Sequence, residues 1–180
     1  MTTTIRRSEV PVDPGRLLDA VRRRLATEDD PQHVAMLRTY LHHLEAEFRG
    51  DIDEAMHTLV ALPRFRFWGG FRDPDGPLVL SRDVIRENYT RAFAGGFPPV
   101  HIDVERFIVS DDGLVLQGEQ HAIVPGEQLA ALGLDVSPTT DHYCVTRFAL
   151  LVEFCDGLMV GEDHYWPLPH TVIEVEEEPT

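Results

Sequence analysis

What most limits how this chain can fold is a change in the spacing of its apolar residues near residue 100. Before that point most of them recur at the three-and-four spacing of helices that bury one face. Beyond it they alternate with polar residues, as in strands whose two faces differ. Helices first and neighbouring strands afterwards predict an α+β domain rather than one in which the two alternate. The 180 residues allow one such domain with terminal extensions. A domain of that size buries roughly 70% of its unfolded surface and needs no covalent staple.

In the helical half, residues 1–12 read as a flexible arm. Asp13 followed by Pro14 is an N-cap with proline in the first turn. Leu17, Leu18, Val21 and Leu25 then form one apolar stripe, Arg16, Arg22, Arg23 and Arg24 face solvent, and Glu28-Asp29-Asp30-Pro31 ends the helix. Residues 31–50 predict a longer helix with Val34, Leu37, Leu41, Leu44 and Phe48 buried, stopped by Gly50. Asp51 caps another, expected over residues 53–62 and broken by Pro63. Arg64-Phe65-Arg66-Phe67-Trp68 alternates as a strand, and Gly69-Gly70 with Asp73-Pro74-Asp75-Gly76-Pro77 makes a loop. Ser81 caps a helix over residues 82–94, which carries Val84, Ile85, Tyr89 and Phe93 and ends at Gly95-Gly96.

In the strand half, Val100, Ile102 and Val104 alternate with His101, Asp103 and Glu105. Asp111-Asp112-Gly113 then turns the chain into a partner strand over residues 114–124. A connection over 125–140, with a short helix near 127–132, leads to a long apolar strand over 143–154. Cys155-Asp156-Gly157 turns this into a last strand over 158–166. Residues 168–180 read as an acidic tail that stays out of the fold, which leaves residues 1–30 as arm and extra helix and 31–167 as the domain.

Charge and composition exclude several functions. With 16 Lys+Arg against 31 Asp+Glu, the net charge of −15 opposes a nucleic-acid partner, since such binders supply cations to phosphate. No apolar run approaches the ~20 residues that span a bilayer. The first residues have no apolar stretch after Arg6-Arg7, so a cytoplasmic protein is expected. Cys144 and Cys155 lie in strand-like runs outside any CxxC and read as reduced thiols.

The order of elements resembles the nuclear transport factor 2-like superfamily, including SnoaL-like polyketide cyclases, over about residues 32–166. Phe48-Arg49-Gly50-Asp51-Ile52-Asp53 is similar to the Gly-Asp turn between that family's first two helices. The run from Asp156 to Trp166 is similar to its closing strand, although many relatives end that strand in Asp where this chain has Pro167. The resemblance implies a cone-shaped α+β barrel. In it a strongly curved mixed or antiparallel sheet wraps three helices around a mostly apolar cavity, with one extra N-terminal helix. Members of the superfamily include cyclases, isomerases, dehydratases, epoxide hydrolases and plain binding modules, so the polar residues must choose.

Glu119 and His121, two apart on one strand, share a face and form an acid/base pair if that face is inward. The limonene-epoxide-hydrolase-like members carry an acid where this chain has His164, so their residues do not carry over. The pair His121 and His164 is more similar to the scytalone-dehydratase-like branch, in which strand histidines move protons. Imidazole titrates near pH ~6.5 and suits elimination or enolisation.

Tyr40, His43 and Glu47 recur along one side of the long helix and are expected to orient substrate, with His57 reaching the same cavity. Trp68, Tyr89 and Phe148 are expected to line a pocket for a flat hydrophobic molecule. The set His43, Glu47, His57, His121 and His164 has no HExxH or compact metal spacing, and no GxSxG, P-loop or dinucleotide motif occurs. No metal and no organic cofactor are therefore expected. The leading expectation is a cofactor-independent lyase or isomerase acting on a small hydrophobic, oxygenated molecule. The alternative is a noncatalytic ligand-binding or assembly module of the same fold. Under either reading the sheet face is expected to pair two copies into a homodimer.

Overall fold

A computed structural model describes residues 4–69, 78–93 and 100–176. The loop expected at 70–77, with Phe71, the stop at Gly95-Gly96, the side chain of Phe93 and the last four residues lie outside the described part.

The chain opens with a short strand β1 (Thr4–Arg6) and a 3-10 turn (Arg7–Glu9), followed by α1 (Gly15–Leu25). Asp13 accepts from the Gly15 N–H at 3.0 Å, so it satisfies one of the amides that a helix start leaves bare. In α2 (Pro31–Arg49) the Asp30 carboxylate accepts from Gln32 N–H at 2.8 Å and His33 N–H at 3.1 Å. Gly50 closes α2 in the left-handed conformation at φ 68°, and Asp51 then caps α3 (Ile52–His57).

The helix expected to reach residue 62 stops at His57, and strand β2 (Leu59–Trp68) begins instead. The cause is pairing with β7 (Leu158–Tyr165): Leu59 already lies beside Met159, and the register slips between Leu59 and Arg64. Pro63, which lacks an N–H, falls within that irregularity, where no ladder bond is asked of it. Next come β3 (Leu78–Leu80) and α4 (Arg82–Phe93), then the hairpin of β4 (Val100–Ser110) and β5 (Gly113–Pro125). The short helix α5 (Gly126–Ala131) precedes β6 (Asp141–Cys155). Asp156 and Gly157, both at positive φ (50° and 78°), make the two-residue turn from β6 into β7.

A final strand, β8 (Thr171–Glu176), corrects the expectation of a free arm and a free acidic tail. β8 pairs antiparallel with β6 through His142↔Glu174 to Val145↔Thr171, and β1 pairs parallel with β8. Its Ile173 and Val175, two apart on one face, supply apolar side chains to a small outer cluster with Tyr143 and Val145. Ile5 and Val10 of the N-terminal segment pack on this cluster. Charge alone misjudged the segment because only its last residues are purely acidic.

β6 is the hub of the sheet. One edge pairs with β5 along its whole length, and the other takes β8 near its start and β7 near its end. β2 and β3 continue beyond β7, and β4 lies beyond β5. The result is a mixed sheet packed against helices in the cone-like α+β arrangement. It does not close into a full barrel, since β3 and β4 at its ends do not pair. The main core joins α1 and α2 (Val21, Leu37) to inward residues of the sheet (Phe65, Leu116, Val152, Met159). Each such side chain stabilises the fold by roughly 1.5–3 kcal/mol on burial. Among the described residues no helix is long and apolar enough to cross a membrane.

Candidate active site

A cavity of about 370 Å³ opens between the helices and the sheet, within the range of small-molecule sites. α1 contributes Leu17, α2 gives Tyr40, Leu44 and Glu47, and α4 gives Tyr89. The sheet supplies Phe65, Phe67, Ile102, Gln120, Leu150, Glu162 and His164, and Trp166 follows from the end of β7. Most of this wall is apolar, and its polar groups converge in two histidine–carboxylate pairs.

The first pair stands on α2. His43 and Glu47 are one helical turn apart, with Nε2 3.1 Å from Glu47 Oε1. His43 is wholly buried. The Thr58 hydroxyl donates to the Ala55 carbonyl at 2.7 Å, so its oxygen is free to accept from His43 Nδ1–H, also at 2.7 Å. That bond sets the tautomer and leaves Nε2 to face Glu47 and the Tyr89 hydroxyl, the latter at 3.3 Å. Burial opposes a charge on His43, but the Glu47 carboxylate beside it, with Glu162 beyond, outweighs burial and raises its pKa.

The second pair stands on β7. Glu162 and His164 are two apart and so share the inward face, with His164 Nε2 2.8 Å from Glu162 Oε2. The His164 ring lies flat on Phe67, centroids 4.4 Å apart and planes 8° from parallel, with Trp166 at 4.9 Å. Burial pushes the Glu162 pKa up, yet the hydrogen bond and charge of His164 and the charge of His43 more than reverse this, so it is lowered. Tyr40 and Tyr89 are both raised well above the usual phenol value, first by burial and then by Glu162 and Glu47. They remain protonated donors. The Tyr40 hydroxyl is buried and finds no hydrogen-bond partner among the described residues.

His164, Tyr40, Glu47 and Tyr89 line the cavity where expected, and His43 stands directly behind them. Glu119 and His121 do not. The pairing Val100↔Ala122 and Ile102↔Gln120 turns the even-numbered residues of β5 inward, and His121 and Glu119 lie on the opposite face, across from His101 and Asp103. The alternation was ambiguous because both faces of β5 are apolar: Leu114 and Leu116 belong to the main core, while Ile123 packs in the outer cluster.

His57 is also misplaced by the sequence reading. Its side chain is 75% exposed, beside Glu54. Trp68 stacks outside on Tyr165, and Phe148 is a core residue rather than a lining one. Glu162, which the sequence reading does not single out, is the residue most clearly missed. Its spacing to His164 was the available signal, and Asp163 alone turns outward to bind Arg66.

No family model matches the sequence, and no curated protein does. Solved structures do. One is a candidate SnoaL-like polyketide cyclase from Shewanella putrefaciens, with 11% identity, 84% of this chain and 87% of that one covered, and TM-score 0.54. A phenazine biosynthesis-related protein from Pseudomonas aeruginosa matches with 13% identity, 75% and 80% coverage and TM-score 0.53. A protein of unknown function from Burkholderia pseudomallei, described as nuclear transport factor 2-like, matches with 14% identity, 73% and 90% coverage and TM-score 0.51.

This is the nuclear transport factor 2-like fold. At such identities the likeness fixes the architecture and carries no reaction with it. In this chain the cavity between the helices and the sheet is lined by Glu47, Glu162 and His164, with His43 behind Glu47.

Proposed function

We propose that the protein is a cofactor-independent lyase or isomerase that moves protons on a small, hydrophobic, oxygenated molecule held in this cavity. The observation that carries this reading is the Tyr40 hydroxyl, a buried donor without a partner among the described residues, in the same cavity wall as Glu162 and His164. An apolar ligand with a carbonyl or ether oxygen would satisfy it.

His164 serves as the base. When its Nε2–H donates to Glu162, Nδ1 carries the lone pair, and the carboxylate stabilises the imidazolium formed on taking a proton. The acid lies on the helical side. His43 Nε2–H donates to the Glu47 carboxylate, and Glu47, which lines the cavity, relays that proton to the substrate from His43 behind it. Tyr40 donates to the oxygen on which negative charge develops. A C–H proton beside a carbonyl would pass to His164. Return of a proton at another carbon gives isomerisation, and protonation of a leaving hydroxyl by Glu47 gives dehydration.

The test is solvent exchange. Enolisable and dehydratable ring ketones are incubated with the protein in deuterated water, and label at the acidic carbon is followed by NMR. Wild type should catalyse uptake for at least one compound class. His164→Ala should lower the rate by about 10²–10⁴-fold, the usual worth of a positioned base. Saturable binding without exchange for any compound would favour the noncatalytic binding module.

A further inference from the structure

On the outer face of the sheet, away from the cavity, a second constellation uses the residues that the cavity leaves out. We propose that His101, Asp103 and His121 form a binding site for a divalent transition-metal ion of the zinc class. His101 and His121 are direct cross-strand partners in the β4–β5 hairpin, with ring centroids 4.6 Å apart, and Asp103 follows on the same face of β4. Asp103 Oδ2 lies 3.0 Å from His101 Nε2 and 3.7 Å from His121 Nε2, and one donor atom from each residue falls within 4.8 Å of the other two. Around a tetrahedral zinc with bonds of about 2.0–2.1 Å, donor atoms sit roughly 3.3 Å apart, so small side-chain movements suffice.

A separate observation points to a ligand. His121 Nδ1 is 2.7 Å from the Tyr143 hydroxyl, and a bond donated from Nδ1–H leaves the lone pair on Nε2. That nitrogen is buried and has no hydrogen-bond partner among the described residues. A metal-binding imidazole is commonly held in this way, oriented by a partner on its other nitrogen. Two imidazoles and one carboxylate are a donor set for zinc and its neighbours, with further positions left to water. A groove of about 400 Å³ between α1 and β4, lined by Asp13, Arg16, Asp19, Arg23 and Asp103, gives a path in from solvent.

Two contacts must yield. Arg16 pairs with Asp103 and stands 3.4 Å from His101 Nε2, but its side chain is half exposed and can swing away when a cation takes its place. The Asp13 N–H reaches His101 Nδ1 at 3.3 Å, so Nε2 carries the proton in the metal-free chain. Binding shifts that proton to Nδ1, which sacrifices the long contact and releases no proton overall.

The test uses the full chain stripped by chelator, with Zn²⁺ titrated by calorimetry and Co²⁺ by visible absorption. One Zn²⁺ per chain is expected, with Co²⁺ giving the strong d–d bands of low coordination. His121→Ala and Asp103→Asn should each weaken Zn²⁺ by more than about 100-fold, and Tyr143→Phe by about tenfold, as for loss of an orienting partner. Arg16→Ala, a surface change that leaves the core intact, should tighten Zn²⁺ severalfold, and this holds the test open if a histidine variant fails to fold. Absence of Zn²⁺ binding in both wild type and Arg16→Ala overturns the proposal. So does affinity indifferent to Asp103→Asn, Tyr143→Phe and Arg16→Ala, which would mean adventitious binding at surface histidines.

Discussion

Phe67 and His164 lie face to face, centroids 4.4 Å apart and planes within 8° of parallel, one on β2 and the other on its neighbour β7. The stack fixes the plane of the imidazole while Glu162 fixes its edge, so the nitrogen that faces the cavity has one orientation. Phe67→Leu keeps most of the apolar burial and removes the stack. We expect a stability loss of about 0.5–1.5 kcal/mol in urea unfolding. A proportionately larger loss is expected in the exchange assay, because a freed ring spends less time aligned. Equal exchange rates in the two proteins would reduce the stack to ordinary packing.

Tyr40→Phe separates function from stability. The hydroxyl is buried without a partner among the described residues, and a group in that state costs about 1–3 kcal/mol in desolvation. Its removal should leave the thermal midpoint unchanged or higher. Ligand affinity or exchange should fall by at least about tenfold, the worth of one hydrogen bond to developing charge. A variant that is less stable and equally active would place the hydroxyl in the fold rather than in the site.

Stability should depend on pH in two limbs. Glu47 on α2 and Glu162 on β7 overcome burial to raise His43, whose other partners are the neutral Ala55 carbonyl and the Thr58 and Tyr89 hydroxyls. A raised histidine contributes in full below its unfolded value of 6.5, and the contribution is lost as pH climbs through the higher folded value. Glu162 is lowered, so its contribution is complete above its unfolded value of 4.5 and is lost as pH falls through the lower folded value. Thermal midpoints across pH should therefore be highest between these two values. His43→Gln should flatten the alkaline limb and Glu162→Gln the acid one; limbs unmoved by either change would assign them to other groups.

Gly161 is the tightest point beside the site. At φ 157° it passes so close to β2 that a Cβ would stand 1.7 Å from the Arg64 carbonyl oxygen. Gly161→Ala must push β7 from β2 next to Glu162, and a loss of at least about 3 kcal/mol is expected. Gly157→Ala, in the open turn at φ 78°, should cost only about 1 kcal/mol by denaturant titration. Similar losses at the two positions would mean that the strands can part without penalty.

Much of the fold was legible because its signals are local. Asp51 caps a helix as its position suggests, Gly50 stops α2, and Asp156-Gly157 makes the tight turn. Tyr40, His43 and Glu47 were legible as a group because a helix carries residues three and four apart on one side, whatever it packs against. β8 and the early start of β2 were not, since each exists through pairing with a distant strand.

The sequence by itself determined the helices, the hairpins, their order and the chemical types available for the site. Only the tertiary structure decided which face of each strand is inside. Alternation says that Glu119 goes with His121 and Glu162 with His164, and it assigns neither pair a side when both faces carry apolar residues. The choice was made by the register of β4 on β5, which turns Gln120 and Ala122 inward, and by that of β2 on β7, which sets Phe67 against His164. Those pairings join residues far apart in the chain, and their energy lies in the packed sheet rather than in any local run.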